Sequence, residues 1–173
     1  CYDIPPCQVI DIECDLTKEQ EAVFDEIVRE NACERLNIVA VNGADRGNKV
    51  KQIVTGAVYD KDRNIVNLPC KPRTDELLRG IQQSEGKVIV FVPYKHSAAN
   101  VLREVRAAGY TAEEVNGDVS PSARERIFTM FMQSPDPRVL VAHPTCMSHG
   151  LSLTEASTII WYGLPDSLET YEQ

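Results

Sequence analysis

Three short apolar runs that do not alternate with polar residues constrain this chain most. Val88-Ile89-Val90-Phe91-Val92 is the strongest and is closed by Pro93. Arg138-Val139-Leu140-Val141 follows Pro137, and Thr158-Ile159-Ile160-Trp161-Tyr162 comes last. β-Branched and aromatic residues favour strands. Strands without alternation read as buried on both faces, as in a parallel sheet covered by helices. Between the second and third runs lie small, polar and imidazole side chains: His143, Thr145, Ser148, His149, Gly150 and Ser152. Open α/β sheets bind ligands beyond the carboxyl ends of parallel strands, so this segment is the first candidate site.

From residue 71 the pattern is regular. Residues 73–84 read as a helix with Leu77, Leu78 and Ile81 inward, followed by the 88–92 strand. Ser97 reads as the cap of a helix carrying Val101, Leu102, Val105 and Ala108, ended by Gly109. Residues 111–115 form a short strand and Asn116-Gly117-Asp118 a turn. Ser120-Pro121 opens a helix with Ile127, Phe128 and Phe131 inward, and another helix begins at Pro165. The order β-α-β-α-β-x-β predicts a three-layer parallel sheet with helices on both faces. Residues 1–70 read as a mostly helical brace. Residues 8–14 are a candidate strand with Val9, Ile10 and Ile12 apolar. Thr17 and Gln20 fit a capping box before a helix with Val23, Phe24, Ile27 and Val28 on one stripe. Residues 37–49 imitate a strand and a phosphate-binding loop, but the glycines are one residue too close and Val50 stands where a magnesium-binding hydroxyl belongs. A helix–helix connection is the better reading, with Val50, Ile53, Val54 and Ala57 on a helical face reaching Tyr59. Residues 65–68 are a short strand.

The net charge of −8 argues against a domain that coats nucleic acid by bulk charge, so any such contact must be local. Six cysteines include no C-x-x-C pair, which removes support for a zinc site. Reduced, partly buried thiols in a cytoplasmic protein are the expectation. No apolar run is long enough to cross a bilayer, and no signal peptide is visible. Lacking an initiator Met, the chain reads as a piece of something larger.

Residues 88–97 (VIVFVPYKHS), 114–131 (EVNGDVSPSARERIFTMF) and 139–162 together resemble motifs IV, IVa and V of superfamily 2 helicases. They are most similar to the Swi/Snf-type branch of double-stranded DNA translocases, in the compact form found in phages and prophages. Pro5-Pro6, residues 17–28 and residues 51–59 resemble the segment preceding the second motor lobe of that branch. The resemblance implies a second RecA-like lobe (71–173), truncated before motif VI, which Tyr171-Glu172-Gln173 would open. It also implies an ATP- and magnesium-using parent protein with the nucleotide between two lobes, the first lobe of the same polypeptide as partner, and duplex DNA lying across both. Without phosphate loop, metal ligands or arginine finger, this piece is expected to be inert alone and to hold neither ATP nor Mg. Gly150, Ser152, Ser148 and His149 would lie on the nucleotide side. Family members mostly carry Asn or Asp at the position of Ser152. Thr145 would replace a phosphate-contacting Thr where this chain has Pro144. Tyr94, Lys95, His96, Asn116 and Gly117 would face the DNA backbone, held without reading bases.

Two further function classes compete with the motor lobe. A freestanding α/β enzyme or nucleotide-binding domain would have its site at residues 143–152, but no Ser-His-Asp or metal partner for His149, His143 or His96 emerges from the sequence. An interaction module would keep only the fold. The residue-level alternatives are plain: histidines that hydrogen-bond locally in turns, a solvated Lys95, a core Trp161, and one paired and one solvated residue of Arg124 and Arg126. Glu113 and Glu114 are adjacent in a strand and point to opposite faces, so they are not a catalytic carboxylate pair.

Overall fold

The computed structural model describes residues 7–147, 153–165, 167 and 171. Its centre is a four-stranded parallel sheet in the order β6-β7-β5-β8, with β5 at Lys87–Phe91, β6 at Ala112–Val115, β7 at Val139–Ala142 and β8 at Ala156–Trp161. Val88 pairs in register with Val139 and Thr158, and Ala112 with Val139. Side chains alternate across the pleat. Val88, Val90, Val139, Val141 and Ala112 therefore share one face, where they meet Leu77 and Ile81 of α3 (Lys71–Gln83) and Val101 and Val105 of α4 (Lys95–Ala107). Ile89, Leu140 and Val115 share the other face, against Ile127 and Phe131 of α5 (Pro121–Gln133). The predicted layers and element order are those observed.

The third apolar run departs from its reading. β8 is the last strand of the sheet, and its burial alternates. Ile160 turns toward α3, while Ile159 is 57% exposed. β7, between two neighbours, is buried at all four positions. Trp161 is partly buried in a contact with Phe91, ring centroids 4.5 Å apart, and with Tyr171. The helix expected after Pro165 falls mostly outside the described residues.

The amino-terminal elements have their own core. α1 (Lys18–Glu30) starts with the predicted capping box: the Gln20 amide nitrogen of the backbone donates to Thr17 Oγ1 and Thr17 N to Gln20 Oε1. Val23 and Ile27 are fully buried with Cys33, Ile38, Ile53 and Val58, whereas Val28 is exposed. Two short antiparallel hairpins, β1 (Ala32–Cys33) with β2 (Ile38–Val39) and β3 (Ala57–Tyr59) with β4 (Ile65–Asn67), flank α2 (Gly43–Val54).

Three local readings are corrected. Residues 8–14 are not a strand: they have no ladder partner among the described residues, and Val9, Ile10 and Ile12 are exposed. Residues 43–49 are not a connection but the start of α2. Asn42 Oδ1 accepts from Asp45 N while Asp45 Oδ2 accepts from Val41 N, a reciprocal cap that outweighs the two glycines. That helix stops at Val54 rather than near Tyr59, because Gly56 at φ +90° turns the chain into β3. Ser97 is not a cap. α4 begins two residues earlier, and Ser97 is fully buried, its hydroxyl 3.1 Å from Thr55 Oγ1.

Candidate functional site

Because the sheet is parallel, the residues following β5, β6 and β7 emerge at one edge. From β5 the chain crosses one face to β6; from β7 it passes to β8 on the other side of β5. Adjacent strands whose connections diverge leave a crevice at their carboxyl ends. His143, immediately after β7, spans this point. Its backbone N–H donates to Val115 O at 2.8 Å, and its Nε2 lies 3.0 Å from Pro93 O. A carbonyl only accepts, so Nε2 carries the proton. Nδ1 then accepts from the Thr145 hydroxyl at 2.8 Å. Burial, and secondarily the charge of Lys95, holds the His143 imidazole below its ordinary pKa, against the opposing effect of the Pro93 bond. The lowered pKa favours the neutral ring, the form in which Nδ1 accepts from Thr145.

The candidate contact residues divide into two groups. Lys95, Gly117 and Thr145 are exposed, and Asn116 is half-buried. Lys95 Nζ reaches Asp118 Oδ1 at 2.6 Å, joining the loop after β5 to the turn after β6. Asn116 anchors that turn: its Oδ1 accepts from Asp118 N and its Nδ2 donates to Glu114 Oε1. Arg124 closes the turn from α5 by donating to the carbonyls of Asn116 and Val119, while Arg126 is exposed. A Cβ added at Gly117 would meet no atom within 4 Å, so no close approach inside the chain requires glycine there. Thr145 sits on a short 3-10 turn, Pro144–Cys146.

His96 belongs to the other group, and the expectation that it faces DNA fails. It is 5% exposed, with Nε2 2.9 Å from Ala57 O. Burial lowers its pKa, with the charge of Lys49 acting in the same direction. Its ring packs edge-on to Tyr59 at 4.5 Å and stacks on Tyr94 at 5.6 Å. Tyr94 is half-buried and its hydroxyl donates to Asn48 Oδ1 at 2.8 Å. Thus Tyr94, His96 and Ser97 tie the start of α4 to α2 and β3, a joint the sequence did not reveal. Gly150, Ser152, Ser148 and His149 lie outside the described residues.

Two concavities among the described residues lie away from this edge. One, of about 440 Å³, is at the opposite end of the sheet and includes Lys87, Tyr110, Thr111, Asp136 and Arg138; the other, of about 500 Å³, lies over α2. The polar groups of the first are largely engaged in structure. Thr111 donates to Asp136, and Arg138 Nη2 to the carbonyls of Ile81 and Ser84. Among the described residues no three His, Cys, Asp or Glu side chains gather as a metal site.

Residues 72–173 match the family described as helicase conserved C-terminal domain. A DEAD-box RNA helicase of Trypanosoma brucei brucei is 31% identical over 100 residues, 57% of this chain and 17% of that protein. The chain spans less than a third of the length of the curated relatives it matches first. The C-terminal domain of a Sulfolobus solfataricus SWI2/SNF2 ATPase superposes with a TM-score of 0.62 at 21% identity, covering 86% of this chain and 68% of that one. The core of that ATPase in complex with dsDNA gives 0.59 at 21% identity, over 86% and 33%. At these identities the structural likenesses establish the fold.

Proposed function

The chain belongs to the helicase conserved C-terminal domain family, and from that premise we propose that it is the second RecA-like lobe of a Swi/Snf-type, superfamily 2 translocase acting on double-stranded DNA. Residues 1–70 act as a brace on that lobe. Lys95, Asn116, Gly117 and Thr145 take the phosphodiester backbone, with Tyr94 supporting Lys95 from the joint. The segment containing Ser148, His149, Gly150 and Ser152 takes the nucleotide side. ATP and its magnesium are bound only when the first lobe of the same polypeptide closes the cleft, so this chain alone does not turn over ATP.

The observation that carries this reading is the meeting of Lys95 with the Asn116–Asp118 turn at the diverging carboxyl ends of β5, β6 and β7. Such an edge offers donors to an extended anion without enclosing it. The Swi/Snf assignment draws on coverage. The SWI2/SNF2 domain superposes on 86% of this chain, including much of the brace, whereas the structure of a Methanococcus jannaschii DEAD box protein superposes on 58%.

The Trypanosoma brucei brucei relative's own substrate supports a second reading, an RNA helicase lobe, and one experiment separates the two. Fluorescence anisotropy would measure binding of a short labelled DNA duplex and a single-stranded RNA over a salt series. Duplex binding should be weak and should weaken further with salt. Lys95→Gln should lower affinity and reduce the salt slope by about one phosphate contact. RNA binding with no measurable duplex binding would replace the DNA reading. Sustained, contaminant-free ATP turnover by this chain would overturn the half-cleft assignment.

A further inference from the structure

Lys95 occupies an unusual place for a lysine. It is the first residue of α4, where unsatisfied backbone N–H groups create positive potential and a cation is unfavourable. Neighbouring residues explain their positions by interior contacts: His96 bonds Ala57 and Ser97 bonds Thr55. Lys95 instead projects outward, its side chain 49% exposed, and pairs with the 75%-exposed Asp118. The Asp118 carboxylate is carried on a preset turn. Its own N–H is held by Asn116 Oδ1 at 2.8 Å, Asn116 is held by Glu114, and Arg124 fixes the turn carbonyls. The acceptor is thus presented to the ammonium by a braced loop.

A carboxylate held 2.6 Å from an ammonium occupies the place a phosphate oxygen would take in a charge-assisted bond. We infer that Asp118 is an affinity-setting residue: its carboxylate is an intramolecular stand-in for phosphate that a nucleic-acid backbone must displace to reach Lys95. This rests on the proposed backbone contact at Lys95 and adds a residue that opposes it. An exposed ion pair is weak enough to exchange readily, so binding remains reversible. Displacement also leaves Asp118 beside the incoming phosphate, where like charges repel. Both effects shorten the residence of a strand on this edge, a useful property where contacts are made and released in succession.

Lys95→Gln, Asp118→Asn and the double variant, all made in the full 173-residue chain, provide the test. The same labelled DNA duplex and single-stranded RNA serve as probes, and circular dichroism checks folding. Asparagine suits an exposed turn, and Asp118→Ser provides a second substitution should it not. Asp118→Asn should tighten binding about two- to five-fold, the scale of an exposed ion pair, and the gain should vanish in the Lys95→Gln background. An equal gain in both backgrounds would reduce Asp118 to a contributor to overall charge and overturn the inference. So would unchanged affinity on removing Asp118 while Lys95→Gln still weakens binding, a result that leaves the backbone contact standing. If Lys95→Gln binds like the unaltered chain, or if neither probe binds, both readings fail together.

Discussion

Replacing Gly56 by alanine tests the joint between the amino-terminal elements and the sheet. Gly56 sits at φ +90°, between Thr55, which contacts Ser97, and Ala57, whose carbonyl receives His96. A Cβ there would lie 2.6 Å from Cys70 Sγ, 3.1 Å from Cys70 Cβ and 3.4 Å from Leu68 O. Two costs follow. The left-handed backbone costs a non-glycine residue about 1–2 kcal/mol, and forcing an extra carbon into an occupied site about 1–3 kcal/mol. Cys70 cannot simply rotate away without leaving the Tyr162 hydroxyl, 3.0 Å from its sulfur. The expected loss is therefore about 2–5 kcal/mol, read as a lower urea midpoint at constant slope. Gly109→Ala separates the two costs. Gly109 has φ +92° but nothing within 4 Å of an added Cβ, so only the backbone cost applies. In a Cys70→Ala background the sulfur clash disappears, and Gly56→Ala should cost less than it does alone. If Gly56→Ala is no worse than Gly109→Ala, the packing assigned to this joint is wrong.

Lys87 Nζ donates to the carbonyls of Phe131 and Ser134 at the end of α5; Lys87→Met should destabilise the chain by about 1–3 kcal/mol in chemical unfolding, with helix content retained. His96 is held neutral by burial with a lowered pKa. Below about pH 6.5 the unfolded chain takes up a proton that the folded chain does not. Thermal midpoints should therefore fall as pH drops from that value toward the lowered pKa of the folded protein, and His96→Gln should flatten part of this acid limb. His143 acts in the same direction, so a residual slope in that variant is expected.

The parallel sheet was legible because β5 and β7 are apolar at consecutive positions, a pattern imposed by helices on both faces. β8 has the same composition, yet it lies at the border of the sheet, and Ile159 finds no covering helix among the described residues. Composition cannot distinguish a central strand from its neighbour at the border. Residues 8–14 misled for a related reason: a strand requires a partner, and alternation does not supply one. In α2 the signal was present but outweighed. Gly43 and Gly47 suggested a loop, while Asn42 and Asp45 form a cap that a closer reading of spacing could have found. At the site, Lys95 and the Asn116-Gly117 turn were identifiable from the resemblance. Their meeting through Asp118 was not, because it depends on which strands lie side by side. His96 and Tyr94 appeared to be surface residues for the same reason; what they touch is 39 and 46 positions distant in sequence.

The three attachments made by Tyr94, His96 and Ser97 have a mechanical consequence. They fall within four residues at the start of α4, Tyr94 being its N-cap, but reach Asn48, Ala57 and Thr55, spread over two elements on the far side. A pull on that segment is divided among a rigid helix, a hairpin and the bend between them. The arrangement behaves as a rivet plate rather than a pivot: load entering beside Lys95 leaves through a broad footing, and the two bodies should swing together.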